Sequence, residues 1–375
     1  MRKVFLLFAL VLTVAFTSCN SSNNIRTIQH NNVAILSQGN YTEQNASVYL
    51  YDEDSKEMTP FAFQNANGHA IGATLMSASF NSAGIGYLLC SNPDKIEIVD
   101  ITTMKSIVKD ALTDGLSNTR EILAVGAYFF VTNAGTEYEV AEDGSYVYTN
   151  SYVAVYNAAN NSLVKKIEVG SDAHGMTFYA TSSTEGVLFV GTRDGVVSIN
   201  CTHGEFNKEP EIITDSQYTG NVRYLCNVNN TIYASVPGYG IFAFDPVTRG
   251  TLWRSDVPLD FNGYITADRE NIYTYATLYN SDWSVASSNI YKLSLSTKDY
   301  SEIASGDYLY SVGVSSATGN IFYSEANDFI TNSTMMVLAR SGNSIVDTKT
   351  TGVGTFRYLF FTYFTEEEKE ADPAV

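Results

Sequence analysis

Arginine is sparse in this chain, which holds 22 Lys and Arg against 40 Asp and Glu. Three arginines nevertheless recur at similar places, Arg120, Arg223 and Arg357, each near the start of a short apolar segment. A guanidinium offers a rigid fork of donors, so three at one mouth could grip a phosphate or carboxylate. The alternative is salt bridging between neighbouring segments, for instance with Glu121 or Asp215. Beside them stand large aromatic residues in loop-like stretches: Tyr41, Tyr218, Tyr239, Phe261, Tyr264 and Trp283. Aromatic anchors among neutral hydrogen-bonding neighbours suit a bulky, partly apolar small molecule. His174, in Asp172-Ala173-His174-Gly175, is placed to join them. Such a lone histidine reads more readily as a loop hydrogen-bonder than as a base. GxSxG, HExxH, P-loop and Gly-rich dinucleotide patterns are missing, as is a Cys/His metal spacing. The expectation is a binding protein and not an enzyme, without cofactor or metal.

These residues gather only if the segments around them repeat, and they do. A short alternating strand ending in Asp, Asn, Ser or Ala recurs at Val48–Asp52, Ile96–Asp100, Val153–Asn157, Val196–Asn200, Ile241–Asp245, Ile290–Ser294 and Met335–Ala339. The last positions are 48, 57, 43, 45, 49 and 45 residues apart. Units of roughly 40–50 residues match a four-stranded propeller blade. Each copy follows a second strand, such as Gly86–Leu89 or Asn271–Thr274, and precedes a third and a fourth. The first unit lacks its innermost strand, and Thr355–Phe361 is left over after the seventh. Joining the two ends in one blade removes an open sheet edge. The fold expected is all-β, a seven-bladed β-propeller over residues 26–364, closed by a C-terminal strand that completes the first blade. In such a fold the loops that enter innermost strands share one face with those that join second and third strands. The three arginines, His174 and the aromatic loops would meet there.

The N-terminus reads as a signal. Arg2 and Lys3 precede an apolar run from Val4 to Phe16, too short for a comfortable membrane span. It ends in Phe16-Thr17-Ser18-Cys19, which looks like a lipobox with Cys19 the lipidated first residue of the mature chain. Residues 1–18 are then the signal peptide, 19–25 a polar tether, and 365–375 an acidic, frayed tail. The net charge of −18 argues against nucleic acid and against a polybasic grip on anionic lipid. Contact with membrane is expected through the lipid alone. Cys90, Cys201 and Cys226 sit in or beside apolar runs and read as buried thiols.

The repeat, the opening Val33-Ala34-Ile35-Leu36-Ser37-Gln38-Gly39-Asn40-Tyr41, the run Asn65-Ala66-Asn67-Gly68-His69-Ala70-Ile71-Gly72 and Lys95–Asp100 together resemble the YncE-like (YVTN-type) propeller lipoproteins of Bacteroidota. The BtuG-type members capture corrinoids and pass them to a TonB-dependent outer-membrane transporter. The resemblance implies a lipid-anchored outer-membrane protein that captures a bulky nutrient, vitamin B12-like corrinoids first, and works beside such a transporter. It carries no binding residue across, because no ligand-specific motif is matched. The cell surface is the face expected, but surface-displayed members often bear acidic residues after the lipidated cysteine, whereas Asn20–Asn24 has none, so the periplasmic face stays open. Two other functions are compatible with the residues: a protein-interaction or glycan-associated scaffold, and a periplasmic lactonase-like hydrolase.

Overall fold

The computed structural model describes residues 4–5, 25–142, 144–182, 185–282, 284–342 and 344–368. Cys19, Trp283, nearly all of the signal segment and the end of the acidic tail lie outside them. Among the described residues there are seven antiparallel sheets, five of four strands, one of three and one of five, plus a separate two-stranded hairpin. No described helix is long and apolar enough to cross a membrane. The one short helix among the described residues, Ala62–Asn67, links the first sheet to the second and buries Phe63.

Each repeated strand falls in one sheet, and its terminal residue has a defined job. The Oδ1 of Asp52 accepts from the backbone N–H of Asp54 and Ser55 at 2.9 and 2.8 Å. Asp100 does the same for Thr102 and Thr103, and Asp245 for Val247 and Thr248. The chain then turns left-handed four residues on, at Lys56, Met104, Asn161, Arg249 and Lys298. The N–H of each of these donates back to the carbonyl of the strand's last residue at 2.8–2.9 Å. The recurring Asp/Asn is therefore a turn former, because its side chain satisfies N–H groups that the turn takes off the ladder.

Side chains alternate along the strands and fill the space between neighbouring sheets. Between the third and fourth sheets, Phe130, Val153, Val155 and Ile167 meet Leu188, Val190, Val197 and Ile199, all buried. The innermost strands are Thr355–Glu368, Thr74–Phe80, Thr119–Val125, Met176–Ala180, Leu225–Val228, Ile265–Ala267 and Leu309–Val314. Each contacts the next in that order, and Leu309–Val314 contacts Thr355–Glu368 again.

Two boundaries differ from the sequence expectation. Thr355–Glu368 pairs with Ile25–Ser37 along its whole length, so the ladder runs past residue 364 and begins at residue 25. Glu366 and Glu367 start as strand because Thr27 and Arg26 face them in register, with Arg26 Nη2 3.5 Å from Glu367 and His30 stacked on Tyr363. Backbone pairing outweighs their polarity. In the second sheet the fourth strand is reduced to two isolated bridges, Val99 with Ser106 and Ile96 with Leu112, and the chain bulges outward between them. Cys90 and Cys201 are buried and Cys226 is half-buried, all three as free thiols. Burial pushes the Cys90 and Cys226 thiols up to about 12 and that of Cys201 to about 11.

Candidate functional site

A cavity of about 340 Å³ opens where the innermost strands begin. Arg120, His174, Arg223, Tyr264 and Arg357 line it, so five of the residues singled out from the sequence come together. Tyr224, Tyr275 and Tyr310 complete an aromatic wall. Adjacent rings in the series Tyr224, Tyr264, Tyr275 and Tyr310 stand 5.1, 6.3 and 6.3 Å apart between centroids.

The backbone that carries His174 is pinned from several sides. Its N–H donates to Gly191 O at 2.9 Å, and its carbonyl accepts from Thr132 Oγ1 at 2.7 Å. Gly175 N–H donates to Arg223 O at 2.8 Å, which fixes the two cavity residues to each other. No side chain fits at 175, because a Cβ there would stand 2.7 Å from that oxygen and 2.9 Å from Tyr224 Cα. The hairpin of Tyr138–Val140 and Tyr146–Tyr148 projects from the third sheet. Tyr148 N–H donates to Asp172 Oδ1 at 3.1 Å and Asp172 N–H to Tyr148 O at 3.0 Å. Tyr146 and Tyr148 thereby become a wall of the cavity.

The three arginines do different things. Arg357 is buried, with Nη1 2.6 Å from Glu121 Oε1 and 2.8 Å from Ser77 Oγ. Ser77 Oγ also donates to Glu121. The guanidinium reaches over the rings of Tyr224 and Tyr264, at 5.6 and 5.1 Å from their centroids. Burial opposes its charge, but Glu121 outweighs that and holds it protonated. Arg357 thus ties together the innermost strands of the first three sheets, the salt-bridging alternative realised. Asp215, the other carboxylate considered, pairs with Arg254 at 2.6 Å.

Arg120 and Arg223 have no carboxylate within 4.0 Å among the described residues. Arg120 lies over the Tyr148 ring at 5.6 Å, and among the described residues its guanidinium gives one hydrogen bond, 3.4 Å, to its own neighbour's carbonyl, Thr119 O. Arg223 has a neutral partner: with its amide oxygen turned to the guanidinium, Asn221 accepts from Nε at 3.2 Å and Nη2 at 3.0 Å. Burial, then the charges of Arg120 and Arg193, pull the Arg223 pKa down against the opposing pull of Asp172. His174 is pulled well below the usual imidazole range by burial and by Arg223, Arg120 and Arg357, so it is neutral. Its Nδ1 is buried without a hydrogen-bond partner among the described residues. In a chain of charge −18, three arginines line this one cavity.

The remaining residues predicted for the site do not line the cavity. Tyr218 is buried, packs in the core of the fourth and fifth sheets and donates its hydroxyl to Asp256. Its phenol is committed to the fold, since a buried hydroxyl must find an acceptor. Tyr41, Tyr239 and Phe261 are exposed on loops at the same end of the sheets as the cavity. Tyr239 rests 6.1 Å from Tyr218. Tyr224, Tyr275 and Tyr310 were missed from sequence. Tyr224 directly follows Arg223, and Tyr310 sits second in its innermost strand as Arg120 does in its own, so the repeat register held a signal for both. Among the described residues no three His, Cys, Asp or Glu side chains group as metal ligands would.

No family model matches the chain, and no curated protein matches it in sequence. Solved structures match in shape. A candidate 6-phosphogluconolactonase from Bacteroides uniformis superposes with a TM-score of 0.62 at 8% identity, covering 88% of this chain and 99% of its own. A second, from Bacteroides fragilis, gives 0.59 at 10% identity, covering 88% and 98%. AztD from Citrobacter koseri gives 0.52 at 10% identity, covering 89% and 98%. The fold is propeller-like. Identities this low carry the architecture and nothing of what those proteins act on.

Proposed function

We propose that this protein is a seven-bladed propeller that captures a small-molecule ligand at the arginine–tyrosine cavity and performs no covalent chemistry on it. The blade count is supported by the cyclic order of contacts among seven innermost strands and by the chain ends pairing in one sheet. The capture reading rests on one observation. A cavity of about 340 Å³, within the ~300–1,000 Å³ of small-molecule sites, is walled by tyrosines and holds two cations without carboxylate partners among the described residues. The exposed tips Tyr41, Tyr138, Tyr146, Tyr239, Phe261 and Ile330 surround this end of the sheets and offer apolar area to a larger body resting on the mouth.

The resemblance noted above makes a corrinoid the first ligand to try, with the cavity seating one part of it and the tips the rest. In that reading Cys19 carries the lipid, the protein sits on the outer membrane, and a TonB-dependent transporter receives the cargo. Calorimetric titration with cyanocobalamin tests it. Saturable one-to-one binding that weakens by ~1 kcal/mol or more in Tyr264→Ala or Tyr310→Ala supports the reading. No heat removes the corrinoid. Binding that is unchanged in both variants removes this cavity as the site.

A further inference from the structure

The capture reading leaves open what the cavity recognises, and the inference here rests on that reading. We propose that Arg120, Arg223 and His174 form an oxyanion seat, so that the ligand presents a carboxylate or phosphate to the cavity and a flat apolar body to the tyrosine wall.

Four observations converge. First, Arg120 and Arg223 are half-buried, and a guanidinium at a cavity with no carboxylate beside it gains a charge-assisted hydrogen bond from a ligand oxyanion. Arg357, in the same cavity, is paired at 2.6 Å, whereas Arg120 and Arg223 are not paired among the described residues. Second, the carboxylate that lines the cavity is already held elsewhere. Asp172 lines the cavity but accepts from Tyr148 N–H and stands 3.8 Å from Arg193. Third, His174 Nδ1 is buried in the cavity wall without a partner among the described residues. As a neutral imidazole with Nδ1 protonated it donates to an oxyanion once the ring turns that shielded atom toward the cavity, without adding charge. Fourth, both arginines are held in place by groups that leave donors free. Tyr148 lies under Arg120, and Asn221 accepts from Nε and Nη2 of Arg223, leaving Nη1. Carboxylate and phosphate share the geometry that such forks recognise.

The test uses benzoate, phenyl phosphate and the neutral benzyl alcohol as probes, titrated into the full protein and into Arg120→Met, Arg223→Met and the double variant. Thermal melting without probe is recorded alongside. Expected are saturable binding of at least one anionic probe, about tenfold weakening or more for each single loss, and no detectable binding in the double variant. The melting temperature is expected to stay the same or rise, since each change removes an unpaired cation. A preference between benzoate and phenyl phosphate would name the oxyanion. Arg249→Gln, on the outer edge beside Glu209 and Glu211, is the charge control. The proposal is overturned if benzyl alcohol binds as tightly as the anions, if anion binding survives in the double variant, or if neither anion binds. Cyanocobalamin binding that persists in the double variant would overturn the oxyanion seat while leaving capture at the tyrosine wall intact.

Discussion

The division of labour among the arginines can be tested through stability. Glu121→Gln leaves the buried Arg357 guanidinium beside a neutral amide. The intact pair is 2.6 Å apart, and Arg357 is 7% exposed. At an effective dielectric of about 20 the attraction is of order 6 kcal/mol, largely offset by the several kcal/mol needed to dehydrate each ion. The pair is therefore nearly neutral as a whole, yet removing one partner costs about 3 kcal/mol, the low end for a broken buried pair. Arg357→Met strands Glu121 similarly, since Ser77 alone remains to it and Oε2 already lacks a partner among the described residues. The double variant Glu121→Gln/Arg357→Met should lose no more than either single one, giving a coupling of about 3 kcal/mol. Urea unfolding followed by circular dichroism, with the slope m unchanged among variants, reads this directly. Single losses that add in the double variant within ~0.5 kcal/mol would refute the argument. Arg357 would then be a third free cation and not a tie between strands.

Asp260 is buried, and burial pushes its carboxyl from 3.8 to about 6 despite N–H donors from Gly263 and Asn262. The folded state then holds a proton that the unfolded state releases, so stability falls as pH rises from 3.8 to about 6 and stays lower above. Asp260→Asn should melt higher than the native protein at pH 8, by an amount of order 3 kcal/mol at most, and alike near pH 3.5; equal melting at both would dismiss the shift. Asp100→Ala deprives the backbone N–H groups of Thr102 and Thr103 of their acceptor and should cost ~1–2 kcal/mol in urea unfolding. Gly175→Ala forces the loop off Arg223 O and should lose ~1–3 kcal/mol together with cavity binding. A variant as stable as the native protein would show that the loop has room.

Why the fold was legible and the site only half so follows from what repeats. The turn former at Asp52, Asp100, Asn157 and Asp245 is a local device, with acceptor and donors two or three residues apart, so it leaves a regular mark in the sequence. A middle strand such as Val153–Tyr156 reads as a short apolar run because both of its faces are packed, and that too is local. The ends of the ladder were less visible, since Thr365–Glu367 is ordered by Ile28–Arg26, more than three hundred residues away.

The cavity is assembled from seven sheets, and no short-range pattern records which residue of one sheet meets which of another. Arg120 and Arg357 look equivalent along the chain: each is the second or third residue of an innermost strand. What separates them is Glu121, which reaches Arg357 from two sheets away and passes by Arg120, its own sequence neighbour. The ladder shifts register between Thr119 and Glu121 and leaves Arg120 over, so its guanidinium lies over Tyr148 while Glu121 bonds Ser77 and Arg357. The strand delivers a carboxylate to one side and leaves a cation on the other. Arg357, by contrast, pairs in register with Leu36 and becomes a structural tie, so the role of an arginine here is a property of the ring of strands and not of its place in the repeat.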